Sequence, residues 1–554
     1  MWKAFSIMTT CAPEELERVA SQADPPYDIL CSDCTRIFPV RGCWATDFPD
    51  IDGTTLRHST IGNLKTSAFH GCHLCALLLR TFTPNETRVF TQEYQPFEHQ
   101  RYELKVLPDI DGWILQITLY LPAHADFGVG TIKKQAILAK IDEGPIRLND
   151  HISGISVRSS CYNVAIAAQK HPSSTNLSEF SLRQVQRWMS LCVHEHVGCR
   201  SISSTPGLRS TLPTRLLQVK GEDEDLTVCL VDTCQIDRQV PYATLSHRWD
   251  DTTKSVQLMK ENLELFKMSL PLGKFPQTFR DAFYVARKLS IGYLWIDSLC
   301  IVQDCQLDWE RESNCMGTFY ALATINFAAT AACDDAAGLK SFRNPLTIAP
   351  CILRREASSP DTTSSRFLCW RPHDFLDNVD RSVLYKRGWT FQERLLSHRT
   401  IHFGSQLFWE CASLRASEAF PVGVDLPGIF KDDFGQTLKR RLRSGYDCDL
   451  TTEVVAELYQ TWSSIVRVYS GMDLTRRSDK LIAVQGIAQS LIRRYHLSEE
   501  DYVFGLWKPC FPYHLIWGRN RDFSEDYEEV EEYRAPSWSW ASINGRFRFI
   551  DRPS

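Results

Sequence analysis

The stretch GYLWIDSLCIVQDCQLDWERES, Gly292–Ser313, decides the fold and raises the first chemical question. It opens with an apolar run that is typical of a buried strand, and the run resumes after a single interruption. The interruption is Asp297, which stands where the pattern calls for another apolar residue. A buried carboxylate is costly unless it is paired or used in chemistry. Asp297 is therefore a candidate functional residue.

The segments around this stretch alternate between strand and helix patterns. VPYATLSH, YLWID and TINFAAT are typical of strands, whereas FPQTFRDAFYVARKLSI and DWERESNCMGTFYALA each carry one apolar helical face. Strands that are joined through helices form parallel sheets with right-handed crossovers. The sequence therefore predicts a mainly parallel α/β sheet. Further on, GWTFQERLL predicts a short helix, and RTIHFGSQLFWEC predicts a hairpin with the two-residue turn Gly404-Ser405.

Polar residues stand at the predicted ends of two of these strands. Ser246 and His247 end YATLSH, and Asp297 ends YLWID. Open parallel sheets bind ligands beyond the carboxyl ends of their strands, so these groups should converge if the strands are neighbours. Glu312 is predicted in the first turn of the next helix, at the same edge. Removing Asp297 should destabilise the domain, whereas Glu312 should contribute little to folding.

Length and composition set the broad class of the protein. A chain of 554 residues exceeds one hydrophobic core. We divide it into an N-terminal Cys/His-containing region (1–205), a central region (206–415, with its core at about 240–415) and a C-terminal accessory region (416–554). The net charge is -5, which does not indicate nucleic-acid binding. No apolar run approaches the ~20 residues of a membrane span, and the start is a poor signal peptide, so we expect a cytoplasmic protein.

Two cysteine pairs have the spacing of zinc ligands. They are Cys31-x-x-Cys34 and Cys72-x-x-Cys75, and together they could supply the four thiolates of a structural zinc site. The alternative is that these cysteines are buried thiols, because the second pair precedes the apolar run ALLL. A third segment, CVHEHVGC, places Cys192, His196 and Cys199 on one helical face, for which a packed face is favoured over a metal site.

Four motifs resemble a known family. YATLSHRW, YLWIDSLCIVQD, DWERESNCMGTFYALA and RGWTFQERLLSHRTIHFG occur in this order between about residues 240 and 415, and together they resemble the fungal heterokaryon-incompatibility (HET) domain. The flanking segments CSDC, HGCHLC, WMSLCVHEHVGC, LPTRLLQV, RRSDKLIAVQGIA and APSWSWASINGR are similar to pieces of HET-containing proteins. One departure is Asp250, since the family usually has glycine after the tryptophan.

The resemblance implies a role in fungal allorecognition, a form of innate immunity in which incompatible fusion ends in programmed cell death. It also implies a TIR-like, flavodoxin-like fold. Some TIR domains cleave NAD with a glutamate in a Trp-x-x-Glu-like setting, and Trp309 and Glu312 have that spacing here. By this analogy Glu312 and Asp297 are the expected catalytic residues. Ser246, His247, Arg248 and Trp249 are the expected NAD-binding residues, and NAD is the expected substrate.

The same residues also allow a non-catalytic interpretation. Asp297 could bind backbone amides or Arg387, His247 could be a core histidine, and Glu312 could stabilise its helix. Glu393 could pair with Arg387 or Arg394. The protein would then be a signalling module in the same pathway that self-associates or binds an incompatibility partner protein.

Overall fold

The computed structural model describes residues 29–32, 34–37, 55–58, 60–82, 102–109, 112–120, 131–142, 156–158, 173–200, 212–221, 225–236, 240–332, 337–355, 365–371, 374–423, 434–443, 451–519 and 533–549. Contacts divide the chain into two compact units, each assembled from three segments. The first unit comprises Met1–Thr175, Phe342–Asp374 and Ala416–Asp432; the second comprises Asn176–Ser341, Phe375–Arg415 and Asp433–Ser554. The predicted boundary at residue 205 lies outside the described residues, and the three-region division stays a prediction.

In its described residues, the first unit combines a mostly antiparallel seven-stranded sheet with two α-helices. The helices Ile61–Phe69 and His73–Arg80 bury leucines that form one apolar cluster with residues of the strand Cys351–Arg355. The remaining strands are Thr55–His58, Tyr102–Asp109, Gly112–Tyr120, Thr131–Asp142, Ser156–Arg158 and Ser365–Trp370, and Cys34–Ile37 and Pro345–Thr347 are 3-10 turns.

The second unit is built on an eight-stranded sheet. Four neighbouring strands in its middle are parallel, in the spatial order Tyr293–Trp295, Ala243–Ser246, Ile325–Ala328 and Arg399–Phe403. The antiparallel pair Arg215–Lys220 and Thr227–Asp232 extends one side of these strands. The other side is extended by the antiparallel strand Leu407–Cys411 and then by Arg415–Ser417.

The sheet of the second unit is therefore mixed, and the prediction of a mainly parallel sheet is corrected. Two hairpins bring in antiparallel strands: Lys220 is paired with Thr227 in one, and Phe403 with Leu407 in the other. A parallel connection needs a crossover of a dozen or more residues, so such short loops can only return antiparallel. The parallel strands are those separated by helices, as the alternating pattern predicted.

The helices of the second unit include those predicted from apolar periodicity. Gln277–Lys288 buries Phe279, Ala282, Phe283 and Ala286 on one face, directly after Pro276, because these positions recur at helical spacing. The α-helices are Glu179–His194, Val197–Arg200, Asp251–Val256, Leu263–Met268, Gln277–Lys288, Asp297–Cys300, Gln306–Leu322, Gly388–Leu396, Phe434–Arg443, Thr452–Tyr469 and Ile482–Tyr495, and Leu376–Asp380 is a π-helix. None of the described helices is long and apolar enough to cross a membrane.

Shorter elements complete the second unit. A second apolar cluster is formed by four helices and two small hairpins. The helices are Gly388–Leu396, Phe434–Arg443, Thr452–Tyr469 and Ile482–Tyr495. The hairpins pair Tyr502–Val503 with Leu506–Trp507 and Trp517–Arg519 with Phe547–Phe549. The 3-10 turns are Thr233–Gln235, Leu272–Lys274, Leu384–Lys386, Arg477–Lys480, Glu499–Asp501, Lys508–Cys510, Tyr513–Leu515 and Trp540–Ser542.

Three local predictions are corrected by the structure. Asp297 does not end the strand but begins the short helix Asp297–Cys300. Glu312 lies in the second turn of its helix, because that helix starts at Gln306 and Asp308 occupies the first turn. The hairpin turn has three residues, 404–406, since Phe403 is paired with Leu407.

Candidate functional site

His247 and Asp297 lie together where two parallel strands end. The strands are neighbours, as the sequence predicted, with Ala243 opposite Leu294. The residues that follow them therefore meet: His247 Nε2 lies 3.4 Å from Asp297 Oδ1. We call this cluster the polar edge, and it comprises Ser246, His247, Trp249, Asp297, Tyr320, Asn326, Arg387 and Glu393.

Asp297 is only partly buried, and its carboxylate is held by two further donors. The Trp249 indole N–H donates to Oδ2 at 3.0 Å, and the Ser298 amide donates to Oδ1 at 2.7 Å. The side chain keeps 23% of its surface exposed. Asp297 is therefore fixed in position but still reachable from solvent, which is the arrangement expected of a carboxylate that contacts a ligand.

His247 is a buried, neutral imidazole. It is 4% exposed, and its ring packs on Phe279 with centroids 4.9 Å apart. Burial lowers the pKa of His247 to about 4; the nearby Asp297 carboxylate opposes this shift and the Arg387 guanidinium adds to it. Arg387 also donates to the His247 carbonyl oxygen at 2.7 Å. The ring can therefore accept or donate hydrogen bonds at neutral pH without carrying charge.

Glu393 brings a second carboxyl group to the polar edge. It sits on the helix Gly388–Leu396 and is 5% exposed. Among the residues that the structure describes, none forms a hydrogen bond with its Oε2 atom. Burial, with a smaller contribution from the negative charge of Asp297, raises the pKa of Glu393 to about 7. This carboxyl group can therefore exchange a proton near neutral pH.

Neither arginine that the sequence offered as a partner makes an ion pair with Glu393 among the described residues. Arg394 instead binds Asp380 at 2.6 Å and Glu410 at 2.8 Å, and Arg387 binds the His247 carbonyl oxygen. An ion pair would have made Glu393 a purely structural residue. Glu393 instead has only a more distant attraction to the Arg387 guanidinium, which lowers the pKa of Glu393 by less than burial raises it.

Two hydroxyl groups lie near the Glu393 carboxyl group, and a side-chain amide orients one of them. The hydroxyls of Ser246 and Tyr320 act on the Glu393 carboxyl group and oppose the rise in its pKa. The amide of Asn326, on the adjacent parallel strand, donates to Ser246 Oγ at 3.0 Å. The Ser246 hydroxyl also donates to Asn326 Oδ1 at 3.3 Å. Asn326 therefore orients Ser246, which lies close enough to lower the pKa of Glu393.

Glu312 is enclosed by structural contacts. It is 1% exposed, its Oε1 accepts from the Thr214 hydroxyl, and its Oε2 accepts from the Thr214 amide at 3.4 Å. Arg311 Nε lies 3.4 Å from Oε1. These contacts tie the helix Gln306–Leu322 to the residue that precedes the strand Arg215–Lys220. Catalysis by Glu312 stays a prediction, and its placement favours the structural interpretation.

The loop after His247 carries the remaining predicted ligand residues. Arg248 is exposed and Trp249 is half-buried. Asp250, the departure from the family pattern, caps the helix Asp251–Val256, because its carboxylate accepts from the Thr253 amide at 2.9 Å. Asp250 thus replaces a flexible glycine by a helix cap and sets the direction of the chain after Trp249.

The four predicted cysteine ligands converge in the first unit. The ligand atoms of Cys31, Cys34, Cys72 and Cys75 all lie within 4.8 Å of one another, and the group could hold a metal ion. Sγ of Cys75 is 3.7 Å from that of Cys31 and 3.4 Å from that of Cys34. A tetrahedron of ~2.3 Å zinc–sulfur bonds requires such spacings. His70, outside this group, bonds the Thr66 carbonyl oxygen at 2.7 Å.

Sequence reasoning missed three members of the polar edge as chemical groups. Tyr320 and Asn326 belong to segments with strong apolar patterns, so the pattern alone assigned them to the core. Glu393 was considered mainly as an arginine partner. No signal in the sequence marks Glu393 as part of the site, because the partners of the two arginines, Asp380 and Glu410 for Arg394 and the His247 carbonyl oxygen for Arg387, are set by the fold.

The polar edge lies within a segment of the chain that matches a family model. No curated protein and no solved structure matches the chain. The family resemblance seen in the sequence is confirmed over the segment that contains Ser246 to Asp297 and ends at Glu393: residues 242–393 match the family model described as heterokaryon incompatibility protein (HET).

Proposed function

We propose that this protein is a fungal allorecognition effector that promotes programmed cell death after non-self fusion, and that it acts by cleaving NAD at the nicotinamide–ribose bond. The HET match supports involvement in heterokaryon incompatibility. The observation that carries the chemistry is the pairing of two unlike carboxyl groups. Asp297 is held in place and partly exposed, whereas burial, and then the negative charge of Asp297, raises the pKa of Glu393 to about 7. Unlike environments of this kind separate the roles of two carboxyl groups in glycoside cleavage.

The proposed reaction divides the work between these two groups. As the C1′–nitrogen bond breaks, nicotinamide leaves with the bonding electron pair and positive charge develops on the ribose. The Asp297 carboxylate stabilises that charge. Ionised Glu393 takes a proton from the attacking water, whose oxygen bonds to C1′. The products are nicotinamide, ADP-ribose and one proton, so atoms and charge balance.

The predicted NAD-binding residues suit the remaining groups of the substrate. Exposed Arg248 offers a guanidinium for the pyrophosphate. Trp249 anchors its indole N–H on Asp297 and leaves part of its ring free to stack on a base. The Ser246 hydroxyl and the neutral His247 ring supply hydrogen bonds for ribose hydroxyls.

The strand order supports the TIR-like interpretation. Numbered by their order in the chain, the four parallel strands stand side by side as 2-1-3-4, which is the beginning of the flavodoxin-like order. The point at which the order reverses lies between Ala243–Ser246 and Ile325–Ala328, next to Ser246 and Asn326. Ligands of such sheets bind at this point.

The decisive experiment measures nicotinamide release from NAD by purified full-length protein at high concentration. Glu393→Gln and Asp297→Asn should each lose activity by at least ~100-fold, the usual contribution of one positioned acid–base group. Glu261→Gln, at an exposed position, is the matched control and should be fully active. Glu312→Gln tests the other predicted catalytic residue, and activity in its folded fraction would exclude Glu312. Absence of turnover in the wild-type protein would contradict the enzymatic proposal.

The second candidate function is a non-catalytic signalling module that self-associates or binds an incompatibility partner. The observation that favours it is the deep burial of His247 and Glu393, at 4% and 5% exposure. It predicts that Glu393→Gln and Asp297→Asn, expressed in the fungus, still cause cell death. Loss of killing by both folded variants would exclude this alternative. Either function is proposed to operate in the cytoplasm.

We further propose that Cys31, Cys34, Cys72 and Cys75 hold a structural zinc ion. The support is their convergence, together with the Cys31 amide, which donates to Cys72 Sγ at 3.2 Å. Amide donors of this kind stabilise a thiolate. With four protein ligands such a site has no open position, so its role would be to fold the first unit and not to take part in catalysis.

A further inference from the structure

A second group of potential metal ligands lies in the second unit, apart from the polar edge. It consists of Cys192, His196, Cys199 and Cys411, whose ligand atoms all lie within 4.8 Å of one another. Sγ of Cys411 is 3.4 Å from His196 Nδ1. The three cysteines are buried and His196 is half-buried. From this arrangement we propose that the four residues bind a zinc ion.

The local chain path explains why the first three ligands meet. The helix Glu179–His194 carries Cys192 in its last turn and ends where the amides of Glu195 and His196 both donate to the Leu191 carbonyl oxygen, at 2.8 and 3.3 Å. The Cys199 amide then donates to the His196 carbonyl oxygen at 2.9 Å. The chain thus folds back on itself, and three side chains face one point.

The fourth ligand comes from a strand more than 200 residues later. Cys411 is the last residue of Leu407–Cys411. Its amide donates to the Leu414 carbonyl oxygen at 2.9 Å, and the Leu414 amide donates back to Cys411 Sγ at 3.2 Å. This small turn presents the sulfur to the helix end and also gives it a hydrogen-bond donor.

The donors around the sulfurs favour thiolates over thiols. Arg399 Nε donates to Cys192 Sγ at 3.2 Å, and the Leu414 amide donates to Cys411 Sγ. Ser413 Oγ lies 3.7 Å from Cys199 Sγ. A zinc ion with three thiolates and a neutral imidazole carries one net negative charge, which the Arg399 guanidinium would offset. A cluster of neutral thiols would give the guanidinium no comparable partner.

The ligand set selects the metal and the role. Three sulfurs and one imidazole nitrogen in a tetrahedral group suit zinc, and four protein ligands close the coordination sphere. The ion would be structural. It would fasten the end of the helix Glu179–His194 to the strand Leu407–Cys411, beside the contact of Trp188 with Trp409 at 6.0 Å between ring centroids. That strand also carries buried Glu410, so the ion would hold one end of the strand that carries this carboxylate.

The test counts zinc in the full-length protein by elemental mass spectrometry. Cys411→Ser should contain one zinc ion per chain fewer than the wild type. His196→Cys, which replaces one zinc ligand by another, should keep the wild-type content, and so should Cys234→Ser, at an exposed cysteine outside both clusters. Equal zinc in Cys411→Ser and wild type would overturn the proposal.

A second measurement covers the case in which Cys411→Ser fails to fold. In Cys34→Ser protein, which has lost a ligand of the first cluster, cobalt is exchanged into the remaining site. A thiolate-to-cobalt charge-transfer band with intense tetrahedral bands is expected, and adding Cys199→Ser should abolish it. Absence of this spectrum in Cys34→Ser would overturn the second site. If Cys34→Ser contains as much zinc as the wild type, only the proposed zinc site at Cys31, Cys34, Cys72 and Cys75 is contradicted.

Discussion

The buried carboxyl group of Glu393 makes the free energy of unfolding depend on pH. Burial, and then the charge of Asp297, raises the pKa of Glu393 from 4.5 to about 7, so ionising it in the folded protein costs on the order of 3 kcal/mol. The stability that belongs to the protonated form is present below about pH 4.5 and is lost as the pH rises through about 7. Glu393→Gln removes this dependence.

Relative to wild type, Glu393→Gln should therefore gain unfolding free energy between pH 5 and pH 8, by about 2–3 kcal/mol. Urea unfolding of both proteins at the two pH values measures the difference. Glu261→Gln, on the surface, should track wild type throughout. A constant difference between Glu393→Gln and wild type would mean that Glu393 titrates as an ordinary glutamate.

Glu312 and Asp297 should contribute to stability in the reverse of the order that the sequence predicts. Glu312 is 1% exposed and accepts from both donors of half-buried Thr214, so Glu312→Ala removes both hydrogen bonds at a site closed to solvent and should cost about 2–3 kcal/mol. Asp297 is partly exposed, and water can replace it in Asp297→Ala, at about 1 kcal/mol. Thermal unfolding compares the two variants. Glu310→Ala, exposed on the same helix as Glu312, is the control, and a smaller loss for Glu312→Ala than for Asp297→Ala would refute this ranking.

The polar edge was partly predictable for a clear physical reason. Ser246, His247 and Asp297 each follow an apolar strand segment, and a polar group after a buried strand is visible in one sequence. Glu393 was not assigned to the site, because tertiary packing determines which carboxylate pairs with each arginine. Cys411 was missed as a ligand because nothing local connects it with Cys192, which lies on a distant segment.

At the level of elements, two helices approach closely through a pair of glycines. A Cβ atom on Gly317, in Gln306–Leu322, would lie 2.7 Å from Gly486 Cα, in Ile482–Tyr495. A Cβ atom on Gly486 would also lie 2.7 Å from Gln392 Oε1. Alanine normally favours a helix over glycine by up to about 1 kcal/mol, but here the backbones would have to separate.

Gly486→Ala should therefore destabilise the protein by about 1–3 kcal/mol, against the intrinsic helix preference. Denaturant unfolding measures the change. Gly273→Ala is the control, because a Cβ atom there meets nothing within 4 Å. An increase in stability for Gly486→Ala would show that the two helices can move apart at little cost.

The elements were predicted better than the sheet they form. Apolar runs located the strands Ala243–Ser246, Tyr293–Trp295 and Ile325–Ala328. Apolar residues at helical spacing located two of the helices between them, Gln277–Lys288 and Gln306–Leu322, whereas the shorter helices were not predicted. The sheet is mixed because strands of two hairpins pair with the outer parallel strands. A single sequence contains little information about which strands pair. The extra residue in the 404–406 turn is likewise set by register, which strand composition does not specify.

At the scale of the whole molecule, the first unit should depend on the zinc ion proposed for Cys31, Cys34, Cys72 and Cys75. The apolar cluster of the first unit includes three of the four cysteines, Cys34, Cys72 and Cys75, together with the helices Ile61–Phe69 and His73–Arg80. If these cysteines bind zinc, binding contributes about 10 kcal/mol or more, comparable with the whole stability of a domain. The local fold should then not survive loss of the ion.

Cys34→Ser should consequently abolish hydrogen-exchange protection of the helix His73–Arg80, while the strands Ala243–Ser246 and Ile325–Ala328 of the second unit stay protected. Exchange measured by mass spectrometry on full-length protein reports both units in one sample. Cys369→Ser is the matched control, since Cys369 is buried in the same cluster but is not a ligand; it should retain zinc and most of the protection. Equal protection of His73–Arg80 in Cys34→Ser and wild type would mean that apolar packing alone holds these helices, and that the cysteines are core thiols.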